Sequence, residues 1–320
     1  MVLRELLRVS QHGAKWLKWH TDGQTICMSK PTQKFDVPVA GGNLALFRFG
    51  EGDKSSSDHP VLLIHGVTSS NRAFQFFADS LIARGKTPYA VDLRGRGDSN
   101  QLPGPFGMAQ HAKDMAEVIK FIGGKPDVIG HSMGGFVLAA LVGLYPDLVG
   151  EVVFADGGIP LPMPPGMTIE QIMPLVLGPA LARLAMTFES NEAYRDYWKP
   201  QPAFNRGWTP ELDEYADYDL RNGKPSTNPK AVEEDSRDLF GDDLVVRSLK
   251  GLSKEALFIR APRGLQNEEG GLYPLPIIEA NLPSYPKLKL VNLVDVNHYD
   301  MFLSKVGSEQ IADVIYGASR

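Results

Sequence analysis

The sequence places a serine between two glycines at a predicted strand-to-helix turn. The segment reads Gly130-His131-Ser132-Met133-Gly134 and lies between an apolar strand-like run, 127–129, and an apolar helix-like run, 136–141. A chain that turns at once from strand to helix forces its corner residue into a strained backbone conformation and needs very small neighbours. The corner side chain is then exposed. This pattern is typical of a nucleophilic serine, and we predict that role for Ser132.

Three further segments end predicted strands with residues suited to chemistry. A continuous apolar run, 61–64, is typical of a strand buried on both faces of a parallel sheet, and it is followed by His65-Gly66-Val67. The next predicted strand, 88–93, runs into a glycine-rich turn at 94–99. Near the end of the sequence, the predicted strand 289–294 is followed closely by His298. Each of these segments therefore lies at the end of a strand.

Together the four segments resemble the α/β-hydrolases. The resemblance rests on HGVTSS at 65–70, DLRGRGDS at 92–99, GHSMGG at 130–135 and NHYDMF at 297–302. It covers nearly the whole chain outside one central stretch, and it implies an α/β fold with a mostly parallel, doubly wound sheet. In this family the nucleophile comes first in the chain, an acid second and a histidine third. Ser132 and His298 match the first and third positions.

The resemblance also implies a division of chemical roles. A serine hydroxyl is a weak nucleophile at neutral pH unless a neighbouring base removes its proton, and histidine has a suitable pKa. We therefore expect His298 to act as the base for Ser132. The oxyanion that forms on a substrate carbonyl needs preorganised donors, which we expect from the backbone N–H groups of Val67 and Met133. His65 and His131 are expected to be structural.

The acid is the point at which this sequence departs from the family pattern. After the predicted strand 256–260 the family commonly has Gly-x-x-Asp, whereas here Gly264 stands where the aspartate would be. Glu268 lies further along the same loop, and its longer side chain suits a displaced carboxylate. Asp156 follows the predicted strand 151–155, a position that some α/β-hydrolases use. We favour Glu268 as the acid and keep Asp156 as the alternative.

A proline-rich stretch marks a change in the organisation of the chain. Four prolines fall between residues 160 and 165, and the sequence then shows helical patterns and polar loops, without a buried strand, up to about residue 250. The resemblance implies that this insertion is a lid. The sequence thus predicts a core in two parts, 1–158 and 251–320, with a helical cap at 159–250. Apolar cap residues that suggest an adaptable binding surface are Met163, Met167, Met173, Leu177, Met186, Phe188, Tyr194, Tyr197 and Trp198.

The composition is typical of a soluble enzyme. The chain has 320 residues, of which 43% are hydrophobic and 22% charged, and its formal net charge of −5 gives no reason to expect a nucleic-acid partner. Cys27 is the single cysteine, which excludes a disulfide within the chain and favours a cytoplasmic location. No apolar run approaches the roughly 20 residues of a transmembrane helix, so we expect no stable membrane insertion.

The first twenty residues form a basic amphipathic pattern, in which leucine and tryptophan alternate with arginine and lysine. Charged residues interrupt every apolar run before the core of a signal peptide, at least about 7 residues, can form. The pattern favours a helix docked on the protein's own surface. Contact with a membrane surface is the alternative.

These observations predict a carboxylesterase-type serine hydrolase that cleaves a small or medium-sized apolar ester through an acyl-serine intermediate. A serine nucleophile excludes haloalkane dehalogenases and epoxide hydrolases, which need a carboxylate at that position. The predicted chemistry uses no cofactor and no metal. Two alternatives stay open: a carbon-carbon bond hydrolase of ring-cleavage products with the same three catalytic residues, and a catalytically silent member of the fold that only binds a small molecule.

Overall fold

The computed structural model describes residues 30–50, 59–204 and 206–318. The basic amphipathic segment 1–20 and Cys27 lie outside the described residues, as do the expectations attached to them. Within the described ranges, no helix combines the length and the apolar character that crossing a bilayer requires.

Among the described residues, an eight-stranded sheet forms the centre of the molecule. Its strands are β1 (Pro31–Val39), β2 (Gly42–Phe49), β3 (Pro60–Ile64), β4 (Thr87–Val91), β5 (Asp127–His131), β6 (Val152–Ala155), β9 (Ala256–Arg260) and β10 (Leu288–Asn292). Their order across the sheet is β1-β2-β4-β3-β5-β6-β9-β10. The first two strands form an antiparallel hairpin, β2 is also antiparallel to β4, and the remaining neighbours are parallel. The predicted mostly parallel sheet is confirmed, and the antiparallel hairpin lies at one edge of it.

Helices cover both faces of this sheet. They are α1 (Gln75–Ile82), α2 (Met108–Ile122), α3 (Met133–Leu144), α9 (Leu275–Asn281), α10 (Asp300–Leu303) and α11 (Lys305–Tyr316). Alternate residues of β3 point to opposite faces, as strand geometry requires: Leu62 and Ile64 join an apolar cluster that includes residues of α2 and α3, whereas Val61 and Leu63 join one that includes residues of α1 and α11. β3 is therefore buried on both sides, in agreement with its continuous apolar sequence.

The predicted insertion at 159–250 is mainly helical. It contains α4 (Ile169–Ala185), α5 (Asn191–Trp198), α6 (Pro210–Asp219), a short hairpin of β7 (Leu220–Arg221) and β8 (Lys224–Pro225), α7 (Pro229–Asp238) and α8 (Asp243–Lys250). Aromatic side chains of α5 and α6 form an apolar cluster that also includes Ala73 and Leu303 of the core. Val245 and Leu249 of α8 instead belong to the sheet-side cluster with α3. The domain boundaries at 159 and 250 stay a prediction.

The parallel strands share one carboxyl edge, and the candidate chemical groups lie there. Ser132 directly follows β5, Asp156 directly follows β6, and the segment with His298 follows β10. His65 and Gly66 directly follow β3. Ligands of open α/β sheets bind at this edge, so the topology alone brings these residues to one side of the molecule.

Candidate active site

Ser132 occupies a strained turn between β5 and α3. Its φ of 54° and ψ of −123° place it in a region that non-glycine residues rarely adopt. The flanking glycines are required by close packing, since a Cβ on Gly130 would lie 2.3 Å from the carbonyl oxygen of Gly134. A Cβ on Gly134 would lie 2.1 Å from the carbonyl oxygen of Ile64. The sequence prediction of a nucleophile turn is therefore matched by its geometry.

His298 is oriented by Asp156. The Nδ1 atom of His298 lies 2.7 Å from Oδ2 of Asp156, and both side chains are buried. A carboxylate only accepts hydrogen bonds, so Nδ1 is the donor and the lone pair of a neutral imidazole is on Nε2. The other carboxylate oxygen of Asp156 accepts from the N–H of Ala261 at 3.2 Å. This is the orientation in which Nε2 can remove a proton from a hydroxyl.

The structure places Asp156, the alternative, beside His298, and it places Glu268, the residue favoured from the sequence, in a different contact. Its Oε2 atom accepts a hydrogen bond from the N–H of Gln266 at 2.7 Å, and its carboxylate lies against Gly264. Glu268 is thus turned into its own loop. Asp156, at a φ of 47°, follows the strand next to that of Ser132 and reaches the imidazole of His298 without a longer side chain.

A sequence signal for Asp156 was present in the two glycines after it. A Cβ on Gly157 would lie 1.9 Å from the carbonyl oxygen of Ser132, so the backbone after Asp156 must pack directly on the turn that carries the serine. An aspartate followed by two glycines at a strand end is consistent with a close backbone approach. The same residues are also typical of an ordinary turn, so this pattern alone does not identify a catalytic acid.

Gly66 brings the loop after β3 against Ser132. A Cβ on Gly66 would lie 3.1 Å from Cβ and 3.4 Å from Oγ of Ser132. His65 fixes the orientation of the following peptide, because its Nε2 atom accepts from the N–H of Leu93 at 3.0 Å and its Nδ1 atom donates to the carbonyl of Gly66 at 2.7 Å. The carbonyl and N–H of a trans peptide point in opposite directions, so the N–H of Val67 points away from His65.

The two expected oxyanion donors are free to bind a ligand. Within the described part of the chain, the N–H of Val67 has no hydrogen-bond acceptor among the backbone contacts. Met133 is the first residue of α3, and the first N–H groups of a helix have no partner inside it. An anion near the start of α3 is also favoured by the helix dipole.

His65 and His131 are neutral and structural. Burial lowers the pKa of His65 to about 3, an effect that nearby Arg96 reinforces. Burial, together with the neighbouring imidazole of His298, also lowers the pKa of His131 well below its ordinary value. The Nε2 atom of His131 donates to the backbone carbonyl of His298 at 3.1 Å. Neither residue is placed to act as the base, and the expectation that both are structural fits their contacts.

A narrow cavity of about 40 Å³ contains the side chains of both Ser132 and His298 in its wall. From the insertion, Tyr215 of α6 also lines it, with its hydroxyl 3.4 Å from Oγ of Ser69. Among the described residues, the aromatic side chains that were expected to form a binding surface are not in the wall of this cavity. Tyr194 and Trp198 pack with Phe188 and Tyr197 in an apolar cluster that also contains Tyr215 and two core residues of the cavity wall, Ala73 and Leu303. Tyr215 was not among the expected residues, and nothing in its sequence context distinguishes it.

A model of the alpha/beta hydrolase family matches residues 61–304. The chain belongs to the alpha/beta hydrolase family. This match includes the turn with Ser132, the strand end with Asp156 and the segment with His298. Membership shows the fold and the family. The reaction of this chain depends on its own site residues and is not shown by the fold.

Individual relatives share only modest sequence identity with this chain. A serine hydrolase-like protein of Danio rerio is 30% identical over 135 residues, which are 41% of this chain and 40% of that protein. The match therefore spans less than half the length of this curated relative. Among solved structures, E-2-(acetamidomethylene)succinate hydrolase superposes with a TM-score of 0.68 and 20% identity, covering 88% of this chain and 98% of the other. A thermophilic esterase from Thermogutta terrifontis superposes with a TM-score of 0.62 and 20% sequence identity, covering 89% of this chain and 97% of the esterase. These likenesses concern the fold.

Proposed function

We propose that this alpha/beta hydrolase is a carboxylic ester hydrolase that works through an acyl-serine intermediate. The observation that carries the proposal is the hydrogen bond between Asp156 and His298 beside a cavity that Ser132 also lines. Nucleophile, base and orienting acid then follow one another in the chain order of the family. That the structural neighbours include an esterase supports the reaction class.

The reaction follows from these positions. Oγ of Ser132 attacks the ester carbonyl carbon while Nε2 of His298 takes the hydroxyl proton. The resulting oxyanion is bound by the N–H groups of Val67 and Met133, and Asp156 stabilises the imidazolium through Nδ1. When the tetrahedral intermediate collapses, the C–O bond to the alcohol breaks and the imidazolium returns its proton to that alcohol. Water then attacks the acyl-serine by the same route, releasing the carboxylic acid and free serine.

The insertion is proposed to act as a cap over this site. The cavity measures about 40 Å³, whereas sites for small-molecule ligands usually measure roughly 300–1,000 Å³. A substrate of ordinary size therefore needs more space beside Ser132 than this cavity offers. Tyr215 is the wall residue that belongs to the insertion, so displacement of α6 is the motion that would enlarge the cavity. Closure would then exclude water from the reaction.

The proposal is tested with a series of p-nitrophenyl esters and the variant Ser132→Ala. We expect the wild type to hydrolyse the shorter esters, and the variant to lose about 10⁶-fold in kcat while keeping its melting temperature. A phosphonate inhibitor should label Ser132, as identified by peptide mass spectrometry. Turnover by Ser132→Ala above about a thousandth of wild type would contradict the assignment of the nucleophile. A wild type that neither turns over any ester nor reacts with the phosphonate would instead support a silent, ligand-binding protein.

A further inference from the structure

A buried ion pair connects the insertion to the back of the proposed oxyanion site. Arg96 lies in the glycine-rich turn after β4, and Asp235 lies in α7 of the insertion. The Nη1 atom of Arg96 donates to Oδ2 of Asp235, and both side chains are fully buried. A pair of opposite charges in this position is costly to separate, because either partner left alone would be an uncompensated buried charge.

Arg96 contacts both residues that carry the oxyanion donors. Its Nε atom donates to the carbonyl oxygen of Val67 at 3.0 Å, and its Nη2 atom lies 3.8 Å from Sδ of Met133. The peptide before Val67 is held by His65 through the carbonyl of Gly66. Both peptides that flank Val67 are therefore fixed by buried side chains, and Arg96 fixes the second of them.

Asp235 is in turn held by the core. Its Oδ1 atom accepts from the N–H of Gly107 at 2.6 Å, and its Oδ2 atom lies 3.0 Å from Nε2 of His111. The next acidic residue on α7, Asp238, accepts from the N–H of Met108 at 2.8 Å. Two carboxylates of α7 thus bind the N-terminus of α2, where negative charge is favoured. Arg96 keeps its partner only while α7 is seated on the core.

We propose that Arg96 and Asp235 are positioning residues through which the seating of helix α7 holds the oxyanion donors in their reactive geometry. The inference rests on the proposed ester hydrolysis for its catalytic readout. The insertion would then do more than cover the cavity, because α7 would fix the conformation of the loop at 66–67 through the guanidinium group of Arg96. Stabilisation of the oxyanion then depends on a residue of the insertion that does not line the cavity.

The same turn offers a matched control. Arg94 and Asp114 form a second fully buried pair, with two hydrogen bonds of 2.8 Å between them. The remaining side-chain hydrogen bonds of Arg94 go to the carbonyls of Pro103 and Ala40, which are not part of the oxyanion loop. The backbone carbonyl of Arg94 accepts from Nη1 of Arg96 at 3.0 Å, a bond that substitution of Asp114 leaves in place. Loss of either pair removes a buried salt bridge, but only loss of the first releases Val67.

The test compares Asp235→Asn with Asp114→Asn in the full chain. For Asp235→Asn we expect kcat on a short ester to fall about 10²- to 10³-fold, the effect of losing one oxyanion donor, with KM within about threefold of wild type. For Asp114→Asn we expect kcat within about threefold of wild type, although its melting temperature falls by a comparable amount. Equal kcat values in the two variants, or a folded Asp235→Asn with wild-type kcat, would overturn the inference.

Hydrogen exchange of the backbone separates this inference from the proposed function. Amides in the segment 65–70 should exchange faster in Asp235→Asn than in wild type, and should be unchanged in Asp114→Asn. If no substrate is turned over by the wild type, the proposed function fails, while the exchange data still decide whether α7 holds the loop. Should Asp235→Asn not fold, the variant Arg96→Met with Asp235→Asn removes both charges and serves in its place. Unchanged exchange at 65–70 in that folded double variant would refute the coupling.

Discussion

The imidazole of His131 lies against that of His298, with ring centroids 4.6 Å apart, and its Nε2 atom donates to the backbone carbonyl of His298. The residue that directly precedes the proposed nucleophile therefore supports the segment that carries the proposed base. The Nδ1 atom of His131 is buried without a hydrogen-bond partner among the described residues. Protonation of His131 would bury an unpaired donor and place a positive charge beside His298, so the site needs this histidine neutral.

Stability should fall as the pH is lowered through the range in which free histidine titrates. Folded His65 has a pKa of about 3, below the ordinary value of 6.5, so between these values the unfolded chain binds the extra proton. The free energy of unfolding therefore rises with pH across this window, by up to about 1.4 kcal/mol per pH unit for each such histidine. Below pH 6.5 this stability is progressively lost.

Urea unfolding at a series of pH values measures this dependence. Between about pH 6 and about pH 4, we expect the free energy of unfolding to decline less steeply with falling pH in His65→Asn than in wild type. The difference in slope should correspond to nearly one proton bound on unfolding. His131→Asn should flatten the curve in the same direction, because the pKa of His131 is also lowered by burial and by His298. A slope that neither substitution changes would show that these two histidines are protonated alike in both states.

Asp156→Asn should nearly abolish turnover, whereas Glu268→Gln should not. An amide at position 156 can donate where the carboxylate accepts, which favours the wrong tautomer of His298 and costs about 10⁴-fold in kcat. Among the described residues, the carboxylate of Glu268 binds only the backbone of its own loop, so its amide variant should stay within about tenfold of wild type. Steady-state kinetics of both variants, checked for folding by circular dichroism, gives the comparison. A dead Glu268→Gln with an active Asp156→Asn would reverse the assignment.

Local patterns in the sequence predict the parallel sheet and the strained turn at Ser132, and the structure has both. His298 follows from the family resemblance, and its role as the base stays a prediction. A continuous apolar run predicts a buried strand, and a serine between glycines at a strand end predicts the strained turn. The acid could not be derived in the same way, since Asp156 and His298 are 142 residues apart and meet only through the order of β6, β9 and β10. Tyr215 and Arg96 were missed for the same reason. Their roles depend on how the insertion is seated, and no local pattern encodes that.

Replacement of Gly134 by alanine should be far more damaging than replacement of Gly85. A Cβ at position 134 would lie 2.1 Å from the carbonyl oxygen of Ile64, a backbone atom that cannot move away without disturbing β3. Gly85 has a φ of +71° but open space around it, so alanine there adds only the strain of a left-handed backbone, about 1–2 kcal/mol. We expect Gly134→Ala to be insoluble or to melt well below Gly85→Ala. Thermal unfolding of both proteins checks this, and equal melting temperatures would mean that the turn relaxes.

Tyr215→Ala should widen the range of esters accepted. The ring of Tyr215 lines the cavity from α6 and is buried, so its removal enlarges the space beside Ser132 without touching the catalytic groups. We expect KM to fall for longer acyl chains, from butyrate to octanoate, while kcat on acetate changes little. Tyr197→Ala is the matched control, because Tyr197 belongs to the same insertion but packs against Phe188 and Trp198 rather than the cavity. If both variants shift the preference for acyl length alike, a general loosening of the insertion explains the change, and the ring of Tyr215 is not what limits substrate size. If Tyr215→Ala alone shifts it, α6 forms the acyl-binding side of the site.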